Sequence, residues 1–186
     1  ERYVSRAGLK LAGAAKAFNL DFRGKTVLDV GSSTGGFTDF ALQHGAKKIY
    51  AVDVGTDQLH PSLRGNKRIE LYEKTDIRDF VPSETPDMVV IDVSFISLRQ
   101  ILPHVAKIVD KNTMIAAMVK PQFEAQRQQL TRGGVVKNDG VRRAILRGFE
   151  QRARANFIII DKVDSEVKGA HGNLERFYIL RKAGSC

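Results

Sequence analysis

With 186 residues, 42% of them hydrophobic and 27% charged, the chain has the length and composition of one globular domain around one core. Thirty Lys and Arg against 21 Asp and Glu leave a net charge of +9, which fits a polyanionic partner such as nucleic acid and equally fits plain solubility. No apolar run approaches the roughly 18 to 20 residues of a membrane span, no segment reads as a signal peptide, and the one cysteine, Cys186, can close no internal disulfide; the expected compartment is the cytoplasm.

Hydrophobic periodicity opens with a helix in which Leu11, Ala15 and Phe18 share a face. Strands follow at 26–30 (TVLDV), 48–53 (KIYAVD), 69–72 (IELY) and 88–92 (MVVID). A second helix is marked by Leu98, Leu102, Val105 and Val109, and a strand by 114–119 (MIAAMV). The run 125–140 is polar, glycine-paired and long for a connection, as expected of a mobile substrate-gripping loop. Beyond it Asn138 and Asp139 cap a helix with a Val141, Ala144, Ile145 and Phe149 stripe, and strands at 157–163 and 176–181 close the chain. Strand alternating with helix predicts an α/β sheet with helices on both faces, whose ligand lies at the carboxyl ends of the strands.

The turn after the first strand reads Asp29, Val30, Gly31, Ser32, Ser33, Thr34, Gly35, Gly36, Phe37. Glycines there permit unusual backbone angles and remove side chains that would obstruct a ligand, although a plain tight turn would look the same. The dinucleotide fingerprint G-x-G-x-x-G is not met, because Ser33 stands at its second glycine. Asp53, 22 residues after Gly31, suits a carboxylate on ribose hydroxyls. With no lysine in the loop and Asp29 at its mouth, a zwitterionic nucleoside without phosphates fits better than NAD, and S-adenosylmethionine is such a ligand. Its expected contacts are Asp29, Gly31 to Phe37, Asp53 with Val54, Asp76 with Ile77 near the adenine, and Asp92. Asp76 serves equally well as the cap of the turn that follows it.

Four polar residues stand at strand ends or on the first helix: Lys10, Asp92 after MVVI, Lys120 after IAAMV, and Glu175 before the last strand. Each alone reads as easily as an ordinary ion-pair or cap residue. The segments YVSRAGLKL, LDVGSSTGGFTD, AVDVG, DVSFISL, VKPQFE and HGNLE come in an order that resembles the FtsJ-like RNA 2′-O-methyltransferases, most closely their haemolysin A-type ribosomal RNA branch. The resemblance covers nearly the whole chain and implies one methyltransferase domain over 1–186, with a Rossmann-like, seven-stranded, mostly parallel sheet. It further implies S-adenosylmethionine as cofactor, cytidine ribose of ribosomal RNA as substrate, and Lys10, Asp92, Lys120 and Glu175 as the catalytic set. Members carry an S4-like RNA-binding domain ahead of this one, so the chain is expected to be the catalytic part of a longer protein.

The chemistry is consistent with that set. A ribose hydroxyl must be aligned with the methyl group and must lose its proton, and an amine takes a proton only when neutral. Lys120 is the expected base; Glu175 is expected to orient Lys10 or the ribose, and Asp92 to hold the lysine pair and balance the sulfonium. Phe123 is a candidate for stacking on a splayed base, or a core residue. Arg127, Arg132, Lys137, Arg142 and Arg143 offer a basic edge for phosphates, or a solvated face. A membrane-lytic protein finds no strongly amphipathic lysine-rich helix here, and a metal enzyme finds no ligand spacing among four scattered histidines. An RNA-binding module with a vestigial pocket is opposed by the intact four-residue set.

Overall fold

A computed structural model describes residues 2–184; Glu1, Ser185 and Cys186 lie outside the described residues. All seven expected strands form one sheet: β1 (Thr26–Val30), β2 (Lys48–Val52), β3 (Ile69–Tyr72), β4 (Met88–Ile91), β5 (Met114–Val119), β6 (Phe157–Asp164) and β7 (Arg176–Lys182). Their order is β3-β2-β1-β4-β5-β7-β6. The first five run parallel, while β7 is antiparallel to both β5 and β6. Every residue of β1 and β4 is buried, as continuous apolar runs covered on both faces should be.

Two cores flank the sheet. One packs α1 (Arg6–Phe18) and α2 (Gly36–Gln43) through Leu11, Ala15, Phe37 and Phe40. The other packs α3 (Leu102–Ile108) and α5 (Asp139–Ala153) through Leu102, Val105, Leu146 and Phe149. Helix α1 stops at Asn19, whose left-handed backbone (φ 53°) is one that asparagine tolerates better than most residues. Helix α5 starts where the Asn138 side chain accepts a hydrogen bond from Val141 N at 2.9 Å.

Three expectations shift. Leu98 lies in a separate 3-10 turn, Leu98–Gln100, and Val109 ends α3 in extended backbone, so the four-residue stripe spans more than one element. In α5 the buried face is Arg142, Ile145, Leu146, Phe149 and Ala153, with Ala144 exposed. The stripe is therefore rotated by about one residue: counting outward from the anchored Ile145 and Phe149, helical spacing puts 142, 146 and 153 on the same side. The stretch 125–140 is folded rather than loose. After α4 (Pro121–Glu124) it forms the 3-10 turn Arg127–Gln129 and a tight reversal pairing Leu130 with Val136.

Candidate active site

The carboxyl ends of β1, β2 and β4 surround a cavity of about 320 Å3 lined by Gly31, Ser33, Asp53, Val54, Asp76, Ile77 and Asp92, within the usual range for small-molecule sites. Its remaining wall includes Gln58, Thr75, Ser94, Phe95 and Ile96. No lysine or arginine lines it, which disfavours a pyrophosphate and suits a phosphate-free nucleoside. Asp53 is fixed by backbone: its Oδ2 accepts from Ser33 N at 2.9 Å and its Oδ1 from Gly55 N at 2.7 Å. Asp76 serves as the cap that the sequence allows and also stands at the cavity. It lines the cavity, and it caps the Ile77–Asp79 turn while paired to Arg78 at 2.7 Å, and that guanidinium holds its carboxyl below the usual range.

Asp29 lies behind the cavity, fully buried on β1. Thr38 Oγ1 donates to its Oδ2 at 2.6 Å, while its Oδ1 has no partner. Burial pushes this carboxyl up to about 7, and the negative charges of Asp92 and Asp53 add to the rise. A fully buried acid beside two further carboxylates is an environment short of positive charge, as a ligand bearing an ammonium or sulfonium requires. Ser32 Oγ, also buried, is likewise without a partner.

The glycines open space mainly for the protein itself. A Cβ on Gly31 (φ 81°) would collide with the Asp92 carbonyl and approach the Val93 side chain to 2.9 Å, so this glycine lets the ends of β1 and β4 close together. One on Gly35 (φ 100°) would come 2.6 Å from Leu63 and 2.8 Å from Leu59; one on Gly36 would strike Ser5 and lie 2.8 Å from Ala7 Cβ. The expectation that Gly35 and Gly36 are bare for a ligand is thus corrected: they are bare for the 59–63 segment and for α1. The Phe37 side chain is buried in the core beside Phe177, at 6.2 Å between ring centroids, which leaves only its main chain on the side of the loop. Asp29, Ser32 and Thr34 are absent from the cavity wall too.

The four candidate catalytic residues gather at one sheet edge as two ion pairs. Val119 of β5 faces Arg176 of β7, so the next residues outward, Lys120 and Glu175, leave the sheet on neighbouring strands. Lys120 Nζ sits 2.7 Å from Asp92 Oδ1 and donates to Ser94 Oγ at 2.9 Å. Lys10 Nζ, reaching in from α1, donates to Glu175 Oε1 at 2.6 Å, and Glu175 is 1% exposed. Asp92 meets Lys120 but makes no ion pair with Lys10, whose carboxylate is Glu175. The cavity shares Asp92 and Ser94 with this constellation.

Next to it Phe95 is 91% exposed in a left-handed conformation (φ 64°), 5.0 Å from the half-buried ring of Phe123. An exposed aromatic held in a sparsely populated backbone region beside a cavity is a feature that packing does not account for. Sequence reasoning missed it; its one signal was its place three residues after Asp92 in DVSFISL. Gln58 and Thr75 are brought in by loops whose path the sequence does not state. Among the basic candidates, Arg127, Arg132 and Lys137 are exposed, and Arg143 is exposed but paired with Asp139. Arg142 is a correction. It is buried, bonded to Asp164 at 2.6 Å and to the Leu174 carbonyl at 3.1 Å, and so is not free for phosphate.

Comparison with known proteins places these features in context. The FtsJ-like methyltransferase family matches residues 3–183. The 23S rRNA (cytidine-2′-O)-methyltransferase TlyA of Campylobacter jejuni is 40% identical over 187 residues, covering 98% of this chain and 72% of that protein. The Bacillus subtilis protein YqxC is 43% identical over 179 residues, covering 94% of this chain; the chain spans 64% of its length. A solved structure from Streptococcus thermophilus, named a haemolysin, superposes with a TM-score of 0.94 at 43% identity, covering 100% of this chain and 69% of that one. The N-methyltransferase NodS of Bradyrhizobium japonicum shares the Rossmann-like methyltransferase fold at 16% identity and a TM-score of 0.63, with 96% and 95% of the two chains covered. Among the described residues no helix is long and apolar enough to cross a membrane.

Proposed function

Because the chain belongs to the FtsJ-like methyltransferase family, we propose that it transfers a methyl group from S-adenosylmethionine to a ribose 2′-hydroxyl of ribosomal RNA, with cytidine the target as in the named relatives. The observation that carries this reading is the junction between a carboxylate-rich, lysine-free cavity and the Lys120–Asp92 pair, through the shared Asp92 and Ser94, with the Lys10–Glu175 pair on the neighbouring strand end. Asp53 is assigned to the ribose hydroxyls, Asp76 to the adenine amine, and Asp29 to the electrostatics of the cationic methionine end. The cofactor supplies an electrophilic methyl on a sulfonium.

The protein's own part is to place the hydroxyl and remove its proton. We assign proton acceptance to Lys120 in its neutral form, with Ser94 fixing the direction of its Nζ and the Asp92 carboxylate beside it supplying charge. Lys10, clamped by buried Glu175, is assigned to the oxygen or neighbouring phosphate of the target nucleotide. Alignment of this kind supplies much of the rate of an in-line displacement, and a positioned base contributes about 10²- to 10⁴-fold. Phe95, with Phe123 behind it, offers an aromatic face to a base turned out of its stack. Arg127, Arg132 and Lys137 on the 125–137 segment are assigned to RNA phosphates.

Isothermal titration with S-adenosylmethionine and, separately, NAD tests the cavity. Transfer of labelled methyl to ribosomal subunits, followed by mapping of the 2′-O-methyl nucleotide, tests the reaction. Binding of S-adenosylmethionine without NAD, together with label on a cytidine ribose, is expected; label on a base, or tighter binding of NAD, would overturn the assignment. The haemolysin label carried by relatives predicts instead that the protein releases dye from liposomes, and no feature of the described structure supports that.

A further inference from the structure

We propose that Asn173 is a positioning residue that couples the 129–137 segment to the Lys10–Glu175 pair, so that seating of RNA on that segment is felt at the reacting site; this rests on the functional reading above. Asn173 is 4% exposed and stands two residues before Glu175. Its side chain does what only an amide can do here. Oδ1 accepts from Val136 N at 3.1 Å while Nδ2 donates to the carbonyl of Gly134 at 3.2 Å.

The segment so held is a small folded unit. Thr131 N donates to Val135 O at 2.8 Å, Lys137 N to Gln129 O at 3.1 Å, and Leu130 bridges Val136. It presents exposed Arg132 and Lys137, the groups expected to meet phosphate. The main chain of Asn173 works toward the other side. Its carbonyl accepts from Gly169 N at 2.9 Å and closes the turn 169–173. Gly169 packs on the Glu175 carboxylate so closely that a Cβ there would collide with Oε1 and lie 3.0 Å from Oε2. The turn therefore covers Glu175, and Glu175 in turn fixes Lys10 at 2.6 Å.

From Arg132 to Lys10 the connection runs through one residue whose side chain bonds the basic segment and, through Nδ2 to the Ala170 carbonyl at 3.5 Å, the cover of Glu175, which its backbone also holds. An isolated surface loop would have satisfied Val136 N and Gly134 O with water instead, as exposed loops ordinarily do.

The test is Asn173→Ala, which removes all three side-chain bonds, to Val136 N, Gly134 O and Ala170 O; Asn173 lies outside the seven strands, so the sheet should stay folded. Hydrogen exchange followed by mass spectrometry is expected to rise at least tenfold at 130–136 and to rise also at 169–173, with 27–30 and 88–91 unchanged. In methyl transfer to ribosomal subunits, kcat should fall at least tenfold while the Kd for S-adenosylmethionine stays within twofold. Arg132→Ala should raise the KM for RNA in the wild-type background and have little further effect in the Asn173→Ala background. Wild-type kcat in Asn173→Ala, or parallel loss of cofactor affinity and of protection in the central strands, would overturn the proposal in favour of a merely structural asparagine. If the wild-type protein methylates no RNA, the functional reading fails separately. The coupling still stands or falls on exchange alone, read in Gly134→Pro, which alters the segment and leaves Asn173 intact: faster exchange at 130–136 with none at 169–173 in that variant refutes it.

Discussion

Replacing Asp29 by asparagine should make the protein less stable than wild type in acid and more stable above neutrality. Asp29 is fully buried with one oxygen unpartnered, and burial lifts its carboxyl to about 7, against about 3.9 in an unfolded chain. A folded-state value above the unfolded one means that the neutral form is favoured in the native protein. The associated stability is complete below about pH 4 and is lost as the pH rises to about 7. Three units of difference correspond to about 4 kcal/mol of lost stability above pH 7.

The substituted amide would keep an acceptor for the Thr38 hydroxyl and would never ionise, but it would carry an N–H2 group into a place where the native oxygen has no partner, at a cost of about 1–3 kcal/mol. The Asp29→Asn variant should therefore be less stable than wild type by up to about 2 kcal/mol at pH 4.5, where wild type has already lost about 1 kcal/mol, and more stable by about 1–3 kcal/mol at pH 8. Urea unfolding at a series of pH values reads the crossing directly. A difference between the two proteins that does not change with pH would refute the argument, because a carboxyl titrating near its unfolded value gives no such slope. The same group links to the ligand. A cationic cofactor favours the ionised acid, so binding at pH 6 should release about one proton to buffer in wild type and none in Asp29→Asn, as measured by titration calorimetry in buffers of different ionisation enthalpy.

Lys120→Ala should lower methyl-transfer kcat by about 10²- to 10⁴-fold while cofactor Kd, by calorimetry, changes less than threefold; retained turnover would move the proton acceptor elsewhere. Gly36→Val should force α1 away from α2, since even a Cβ meets Ser5, Ala7 and Gly8, at about 1–3 kcal/mol by urea unfolding, although the site's charges are untouched. Arg142→Ala should destabilise by about 2 kcal/mol through the stranded Leu174 carbonyl and the loss of one of the two arginines on Asp164. Arg143→Ala, on the exposed side of the same helix, should stay within about 0.5 kcal/mol. Asp164 gives the opposite pH sign from Asp29: burial works against its charge, but Arg176 and Arg142 prevail and hold it below the usual range. Its contribution is present above the unfolded value and fades as the pH falls through the folded one, so acid unfolding of Arg142→Ala should begin at higher pH than that of wild type.

What the sequence determined by itself was set by short-range rules. Seven apolar runs and their spacing were enough for seven strands: burial on both faces leaves a continuous hydrophobic signature in β1 and β4, and the outer strands β3 and β6, far less buried, still showed as short apolar runs. Strand ends were enough to put Asp53, Asp92 and Lys120 at the ligand edge, since a parallel sheet delivers every such residue to the same side. Asn138 at the start of α5 was legible as a side chain meeting its own backbone three residues on.

Only the tertiary structure decided matters that depend on who lies opposite. A glycine in a loop is bare for a reason that the loop does not contain: Gly35 and Gly36 face Leu63, Leu59 and α1, not the cavity. Arg142 and Arg143 are adjacent in sequence and about 100° apart around a helix, so one is buried against Asp164 and the other faces water. The pairing of Lys10 with Glu175 spans 165 residues, and no local pattern could have distinguished it from a pairing with Asp92. Phe95 reads in sequence as any apolar residue after a strand, whereas its left-handed backbone and exposure are properties of the folded chain alone.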